Sequence, residues 1–169
     1  MLGKDYDSQD CALARALEVV GERWTLLILR DALYGVRRFN DFQSHLDIPK
    51  AVLSSRLAAL VADGVLERLP DPQHHGRRLY ELTQAGKELW PVVHALIVWG
   101  DEHRERSSRG FEHAACGTPL DDAGCCPRCG LVPGPDEVLM VPLRQSSRSD
   151  PVAEALRQPH RMLDPLPER

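Results

Sequence analysis

The sequence predicts a mainly α-helical fold with one small β-hairpin, of the α+β class. Three observations support this expectation. Apolar residues recur with helical spacing in several segments, two short β-rich runs flank a polar segment, and aromatic residues make up only 5% of the chain. With 169 residues, the chain can form one domain of ordinary size and a smaller appendage.

Two helices are predicted at the start of the chain. Ser8 is positioned to cap the first helix, whose first turn holds Asp10 and Cys11 and which ends at Gly21. The second helix, from about residue 23 to residue 33, is apolar around most of its circumference. We therefore expect this second helix at the centre of the domain.

A pair of helices separated by a sharp turn follows. Apolar residues at i, i+3 and i+7 from Phe39 indicate the first helix, residues 37–45. The turn is expected at residues 47–49, because the residue before a proline is disfavoured in the helical conformation. The second helix, residues 51–63, has one apolar stripe and short side chains on much of its opposite side.

Two β-rich runs, residues 65–69 and 77–83, follow this second helix and are joined by the polar segment 70–76. A helix with short side chains can enter a major groove closely, while a cationic hairpin reaches the adjacent phosphates or minor groove. This is the outline of a winged helix-turn-helix, in which the hairpin is the wing. The residues that we expect to contact DNA are Lys50, Ser54, Ser55 and Arg56 on the helix and His74, His75, Arg77 and Arg78 at the wing tip.

The cationic residues of this region admit other interpretations. The formal net charge of the chain is −4, so a DNA-binding role depends on local positive charge. Arg56 has the alternative role of an ion pair inside the domain, with the two serines merely keeping the helix soluble. A metal site at His74 and His75 is not expected, because adjacent side chains of an extended strand point to opposite faces.

The last predicted helix of this domain has more apolar surface than a small domain needs. Thr83 is positioned to cap it, and it runs from residue 84 to about residue 106, with Pro91 expected to kink or interrupt it. A terminal helix with surplus apolar surface usually packs against a partner. We therefore expect a homodimer.

Several motifs between residues 11 and 99 stand at the spacing of a known family. They are the Gly21-Glu22-Arg23-Trp24 turn, Arg38-Phe39 with Asp41-Phe42, the leucines Leu53 and Leu57, Asp63-Gly64, and Tyr80-x-Leu82-Thr83 with Gly86. With these motifs the chain resembles the HxlR-type winged helix-turn-helix transcriptional regulators of bacteria. The resemblance implies a homodimeric DNA-binding regulator, often a repressor, whose first and last helices form the dimer interface. Several members also resemble this chain in a Cys-rich appendage.

Cys11 is a candidate thiol sensor. In the first turn of a helix the helix dipole favours a thiolate, and Arg15 follows one turn later, although Asp7 and Asp10 act in the opposite direction. Some regulators that resemble this chain sense oxidants, electrophiles or quinones through a cysteine near this point. The alternative is a packed, unreactive cysteine in the dimer interface.

Four of the five cysteines lie within residues 116–129, where metal or redox chemistry is favoured over a disulfide framework. The motifs H-x-x-C-G and C-x-x-C-G are typical of zinc knuckles, since each aims two side chains at one point and ends on a permissive glycine. The alternative is a metal-free cluster or a reversible disulfide such as Cys116 to Cys129. The predicted ligands of one structural zinc ion are His113, Cys116, Cys126 and Cys129, with Cys125 as the competitor of His113.

The expected organisation has three parts. Residues 1–106 form the winged helix-turn-helix domain for DNA binding and dimerisation, and residues 107–132 form the zinc-knuckle-like appendage. Residues 133–169 hold seven of the thirteen prolines and are expected to be an extended, largely irregular tail with one short helix starting at Asp150.

The sequence also limits the function classes. No apolar run has the length of a membrane span, and the first residues lack the apolar core of a signal peptide, so a cytoplasmic protein is expected. No nucleophile elbow, phosphate-binding loop or paired-carboxylate motif is present, so an enzyme is not expected.

The function that we expect is sequence-specific DNA binding by a homodimeric transcriptional repressor. A small effector or a thiol modification would release it from DNA by changing the spacing of the two recognition helices. One alternative is a protein-interaction module that uses the winged helix and the zinc knuckle without binding DNA. A further alternative is a thiol redox enzyme that uses Cys126 and Cys129.

Overall fold

The structure is a computed structural model that describes residue 6, residues 9–104 and residues 106–167. The first half contains α1 (Ala12–Val20), α2 (Thr25–Leu33), α3 (Phe39–Leu46), α4 (Lys50–Ala62), β1 (Leu66–Pro70) and β2 (Arg78–Leu82). The second half contains α5 (Gln84–Lys87), α6 (Trp90–His103), β3 (Arg109–His113), β4 (Thr118–Pro119), β5 (Val138–Pro142), α7 (Pro151–Ala155) and β6 (His160–Arg161).

Helix α1 begins at Ala12, with Cys11 in an extended conformation at the N-cap position. The predicted cap Ser8 lies outside the described residues. No side-chain hydrogen bond caps the described start of this helix. Cys11 is therefore placed just before the first helical turn rather than within it.

Helix α2 is the central helix, as predicted. It packs against α3, α6 and β2, and Ile28, Leu29 and Leu33 are fully buried. The buried stripe of α4, which includes Leu53 and Leu57, belongs to the same core. Burying one such side chain stabilises a fold by about 1.5 to 3 kcal/mol. The packing of these leucines against the core therefore fixes the position of α4, the helix expected to enter the DNA groove.

The turn between α3 and α4 forms the helix-turn-helix. Asp47 adopts the left-handed conformation with φ 51°, which ends α3 abruptly. Pro49 then takes the N-cap position of α4, and the helix begins at Lys50. The predicted break before this proline is confirmed.

The wing is an antiparallel hairpin in which Leu66 faces Leu82 and Pro70 faces Arg78. Its buried leucines hold it to the helices. The amide of Tyr80 also donates to the Arg37 carbonyl at 2.8 Å, just before α3 begins. The hairpin is therefore fixed beside the helix-turn-helix pair.

The predicted long helix after the wing is divided. Thr83 caps α5 by accepting a hydrogen bond from the Gly86 amide at 3.2 Å. A second helix, α6, begins at Trp90 with Pro91 in its first turn, where a missing N–H is tolerated. The expected interruption at Pro91 is confirmed.

The prediction of a largely irregular chain from Pro133 onward is wrong. Strand β5 pairs with β3 along its whole length, and the four-stranded sheet has the order β4-β3-β5-β6. Val138 and Met140 of β5 are fully buried in the same core as α2. The segment is proline-rich, but Pro142 ends β5 and Pro151 opens α7, positions where proline is tolerated. Residues 107–132 and 133–167 thus build one sheet.

Helix α7 starts at Pro151, where the sequence predicts a short helix. Asp150 caps it by accepting a hydrogen bond from the Ala153 amide. The same carboxylate lies 2.8 Å from Nδ1 of His45 in α3. His45 also faces the fully buried carboxylate of Asp31, at 3.9 Å. The C-terminal segment is thereby attached to the first helix of the helix-turn-helix.

Aromatic contacts join the four-stranded sheet to the helices. The Phe111 ring of β3 lies edge-on to Trp90 of α6, with centroids 4.9 Å apart, and is 6.3 Å from Tyr34. The Leu163 amide donates to the Leu33 carbonyl at 2.9 Å. Among the residues described here, no helix has the length and apolar character needed to cross a membrane.

Candidate nucleic-acid interface and metal site

Helix α4 presents a polar surface opposite its leucine stripe. Lys50, Ser54 and Ser55 are exposed, whereas Leu53 and Leu57 are fully buried. This division follows from the helical period, which places residues 54 and 55 away from the stripe. The exposed side chains on this part of the helix are mostly short, which permits close approach to a groove.

Arg56 has the ion pair that the alternative interpretation expected. Its guanidinium lies 3.5 Å from the carboxylate of Glu22, in the turn between α1 and α2. The Glu22 side chain is 61% exposed, and ion pairs in water contribute little, so this contact is readily exchanged for a phosphate. Arg56 faces the α1–α2 turn rather than the wing.

Asp71 organises the turn of the wing. Its side chain accepts hydrogen bonds from the Gln73 amide at 2.9 Å and from Nε of Arg38 at 3.3 Å, and it lies 3.3 Å from Nδ1 of His74. Burial alone would raise the pKa of Asp71, but these hydrogen bonds lower it below its ordinary value. Sequence reasoning missed Asp71 and its contact with Arg38, although an aspartate between two prolines is a signal for a side-chain-stabilised turn.

A groove with a volume of about 730 Å³ runs between the starts of α3 and α4 on one side and the wing on the other. It brings together Lys50 and Ser54 of α4 with Arg77 and Arg78 of the wing, and Arg68 adds a further cation. Three predicted contact residues, Ser55, Arg56 and His75, lie outside the groove, whereas His74 lines it. The C-terminal segment also reaches the groove through Pro151, Val152, Ala155, Leu166 and Pro167.

Four predicted metal ligands lie together. One ligand atom from each of His113, Cys116, Cys126 and Cys129 is within 4.8 Å of all the others. The Cys116 sulfur is 3.5 Å from the Cys126 sulfur, 3.5 Å from Nδ1 of His113 and 3.7 Å from the Cys129 sulfur. Thiolates bound tetrahedrally at about 2.3 Å from zinc stand about 3.8 Å apart, so the cluster has dimensions that fit a metal ion.

The two pairs of ligands lie on turns of the same design. The Gly117 amide donates to the His113 carbonyl and the Gly130 amide to the Cys126 carbonyl, each at 2.8 Å. Both glycines have positive φ, 64° and 68°, which other residues adopt only with strain. The predicted role of the glycine after the second ligand agrees with this geometry.

Cys125 does not join the four clustered ligands. Its amide donates to the Asp121 carboxylate at 2.8 Å, and its sulfur lies 3.7 Å from the Cys126 carbonyl oxygen. The structure thus groups His113, and not Cys125, with the three other cysteines.

The cluster thiols have unequal acidities. The hydrogen bond between the Cys116 sulfur and the Thr118 hydroxyl, 3.3 Å away, contributes most to lowering the pKa of Cys116 to about 6. Hydrogen bonding with Cys116 contributes most to raising the pKa of Cys129 to about 11. A cation is the group that would favour deprotonation of all three cysteines at once.

The predicted sensor Cys11 is exposed and lies beside an apolar surface on α1. Leu13 and Leu17 of this helix are 65% and 41% exposed. A second apolar stripe runs along α6, where Val92, Leu96 and Trp99 are 46%, 48% and 52% exposed. We refer to these two surfaces together as the apolar stripe.

Comparison with known proteins shows which family shares this sequence. The sequence profile of the HxlR-like helix-turn-helix matches residues 19–108. An HTH-type transcriptional regulator of Mycobacterium tuberculosis is 45% identical over 125 residues, which cover 70% of this chain and 77% of the relative. The HTH-type transcriptional regulator YdeP of Bacillus subtilis is 32% identical over 109 residues, which cover 62% of this chain and 85% of that protein.

Two solved structures share the fold. PA1607, described as a candidate transcription factor, superposes with a TM-score of 0.63 at 32% identity, covering 69% of this chain and 84% of that chain. The redox regulator HypR in its reduced form superposes with a TM-score of 0.52 at 29% identity, covering 56% of this chain and 95% of that chain. From its profile match, its close relatives and its winged helix-turn-helix, the chain belongs to the HxlR-like helix-turn-helix family.

Proposed function

We propose that this protein is a transcriptional repressor that binds specific DNA sequences as a homodimer and is released by a small effector or by modification of Cys11. The observation that carries the DNA-binding role is the shared groove, in which Lys50 and Ser54 of α4 face Arg77 and Arg78 of the wing. The family's relatives that are named HTH-type transcriptional regulators support the same role.

The two sides of the groove would act differently on DNA. Ser54 and Ser55 are short exposed side chains that can reach base edges in a major groove, with Lys50 and Arg56 close enough to reach phosphates. The exposed wing residues His75, Arg77 and Arg78 supply sequence-independent attraction, together with the half-buried His74. Since long base-reading side chains are few, specificity would depend partly on DNA shape.

The homodimer would be formed by the apolar stripe. Leu13 and Leu17 of α1 and Val92, Leu96 and Trp99 of α6 form more exposed apolar surface than an isolated small domain normally leaves in water. A two-fold symmetric pairing would bury this surface against its own copy. It would also place two α4 helices on successive major grooves, which are about 34 to 36 Å apart.

The Cys–His cluster would be a structural zinc site held by His113, Cys116, Cys126 and Cys129. Four protein ligands leave no open position for a substrate, which favours a structural over a catalytic role. The site would tie the end of β3 to the loop before β5, and β3 carries the Phe111 contact with α6. Zinc binding would therefore stabilise the sheet on which part of the helical core rests.

Regulation through Cys11 is supported by its position. The thiol is exposed at the N-cap of α1, next to Leu13 of the apolar stripe. A chemical change there would act directly on the dimer contact and hence on the spacing of the recognition helices. The similar structure of HypR is described as that of a redox regulator.

Selection of bound fragments from the source genome, followed by a mobility shift at several salt concentrations, tests the proposal. We expect affinity to fall steeply with salt, and the double variant Arg77→Ala, Arg78→Ala to lose about tenfold in affinity and to lower the salt slope by about 2. Arg128→Ala removes an exposed arginine of the knuckle, outside the groove, and serves as the matched control. If the protein binds no DNA fragment at low salt, or if the control variant loses as much affinity for DNA as the wing variant, the proposed function is wrong.

A further inference from the structure

A second cavity, with a volume of about 410 Å³, lies between α2, α6 and the C-terminal segment. None of the residues that line the DNA-facing groove contributes to it. Its size is within the range of small-molecule sites, which begins at about 300 Å³.

Positive charge dominates the walls of this cavity. The lining includes Arg30, Arg104, Arg109 and Arg148, against the single carboxylate of Asp101. Arg30 is ion-paired with Asp31 and Arg148 with Asp150. Arg109 donates to the Leu156 carbonyl, and Arg104 lies over the Trp99 ring. A guanidinium has five N–H donors, so donors remain for a bound anion.

Tyr34 supplies a hydroxyl group to the wall of this cavity. Its side chain is only 5% exposed and lines the cavity, and within the described residues its hydroxyl has no hydrogen-bond partner. Burial raises the pKa of Tyr34 to about 12, so the hydroxyl stays protonated and can donate. A protonated hydroxyl on a residue that lines the cavity can donate a hydrogen bond to an acceptor of a bound ligand.

Part of the remaining wall is apolar and is formed by Leu96, Ile97 and Leu156. The rest of it carries Ser107, Ser108, Ser146 and His45. Cationic groups beside an apolar wall match a molecule with a charged head and an apolar body. We propose that this cavity binds a small organic carboxylate with an apolar, ring-sized body, whose carboxylate accepts hydrogen bonds from Tyr34 and the surrounding arginines.

The location of the cavity gives such a ligand a means of regulation, and this step rests on the proposed function. Leu96 belongs both to the cavity and to the apolar stripe of α6, while Arg30 and His45 connect the cavity to α2 and α3. A ligand held between these helices changes the angle between α6, which carries part of the proposed dimer surface, and the helix-turn-helix formed by α3 and α4. Affinity for DNA then depends on occupancy of the cavity.

Isothermal titration of the full chain in the absence of DNA tests the site, with benzoate as the probe. Benzamide has the same shape without the charge. We expect one saturable benzoate site per chain, with binding of benzamide at least tenfold weaker. Tyr34→Phe and Arg104→Gln each weaken benzoate binding by about three- to tenfold. The matched control is Arg23→Gln: Arg23 stacks on Trp24 at 5.6 Å, as Arg104 does on Trp99, but lies outside the cavity.

The site is disproved if benzoate gives no saturable binding at millimolar concentration, if benzamide binds as tightly, or if Tyr34→Phe and Arg104→Gln bind like the control. Binding of inorganic phosphate in preference to benzoate also overturns the assignment to carboxylates. A mobility shift with and without benzoate then tests the coupling separately. Saturable benzoate binding by a chain that ignores DNA keeps the site and rejects the proposed function.

Discussion

The proposed zinc site can be tested with two cysteines, because a proposed ligand, Cys116, and a cysteine outside the cluster, Cys125, lie close together in the chain. Cys116 contacts all three other clustered residues, whereas the Cys125 sulfur lies against a backbone carbonyl. Both side chains are partly buried. Replacing either by serine removes one sulfur at similar burial, but only Cys116→Ser removes a proposed metal ligand.

The size of the stabilisation by zinc follows from the linkage between binding and folding. If free zinc is present at one hundred times its dissociation constant, it stabilises the folded chain by about 2.7 kcal/mol. For a chain of 169 residues this corresponds to a rise in Tm of about 5 to 11 °C. We expect a chelator to lower the Tm of the wild type and of Cys125→Ser by this amount. The Tm of Cys116→Ser should be lower by the same amount before any chelator is added.

The assay combines thermal unfolding with and without a chelator and metal analysis of the purified protein. One zinc per chain is expected in the wild type and in Cys125→Ser. The reasoning is refuted if the wild type holds no metal and its Tm is unaffected by the chelator, or if Cys125→Ser loses metal as fully as Cys116→Ser.

Three further predictions concern the rest of the molecule. Phe111→Ala should lower the free energy of unfolding by about 3 to 5 kcal/mol, because it leaves a cavity against Trp90, as measured by denaturant titration. Trp99→Glu should convert the proposed homodimer to a monomer in analytical ultracentrifugation, because it places a charge in the apolar stripe. Hydrogen bonds that outweigh burial hold the pKa of Asp150 at about 2, below its ordinary value of 3.8, so its contribution of about 2 kcal/mol is present above about pH 4 and is lost as the pH falls towards 2. Asp150→Asn keeps a capping side chain and should remove this part of the acid sensitivity.

Each of these predictions has its own contradicting result. Leu131→Ala truncates a 43% exposed side chain and should lower the free energy of unfolding by less than about 1 kcal/mol. If Phe111→Ala lowers it by no more than this, Phe111 does not contribute to a core shared by the sheet and the helices. Val132→Glu changes an exposed valine outside the apolar stripe, and if it also yields monomers, the stripe is not the specific interface. Acid unfolding curves that coincide for the wild type and Asp150→Asn would show that this carboxylate is not responsible.

The elements that sequence reasoning predicted well are those encoded within a few residues. The leucine stripe that includes Leu53 and Leu57 predicts both ends of α4 to within one residue of the observed bounds, because helical periodicity is a local signal. The knuckle turns at Gly117 and Gly130 are likewise local, since each closes within five residues. The break at Pro91 follows from the chemistry of a single residue.

The four-stranded sheet of the C-terminal segment could not be predicted in this way. Strands β4 and β6 have two residues each, and Leu139 and Val141 of β5 are apolar like their buried neighbours, so no alternation was visible. Contacts such as His45 with Asp150, or Tyr34 with Phe111, join residues far apart in the chain. Only the packed structure reveals them, and the charged cavity beside α2 depends on the same long-range packing.

The hydrogen bond from Arg37 to the Leu163 carbonyl joins positions 126 residues apart and has a consequence for biosynthesis. A ribosome adding about 5 to 20 residues per second needs about 6 to 25 s to make the intervening chain. During that interval the end of α2 lacks the backbone partner that Leu163 later provides. Before the C-terminal segment is made, Val138 and Met140 cannot complete the core that they share with Ile28, so the nascent chain exposes apolar surface that a chaperone would bind.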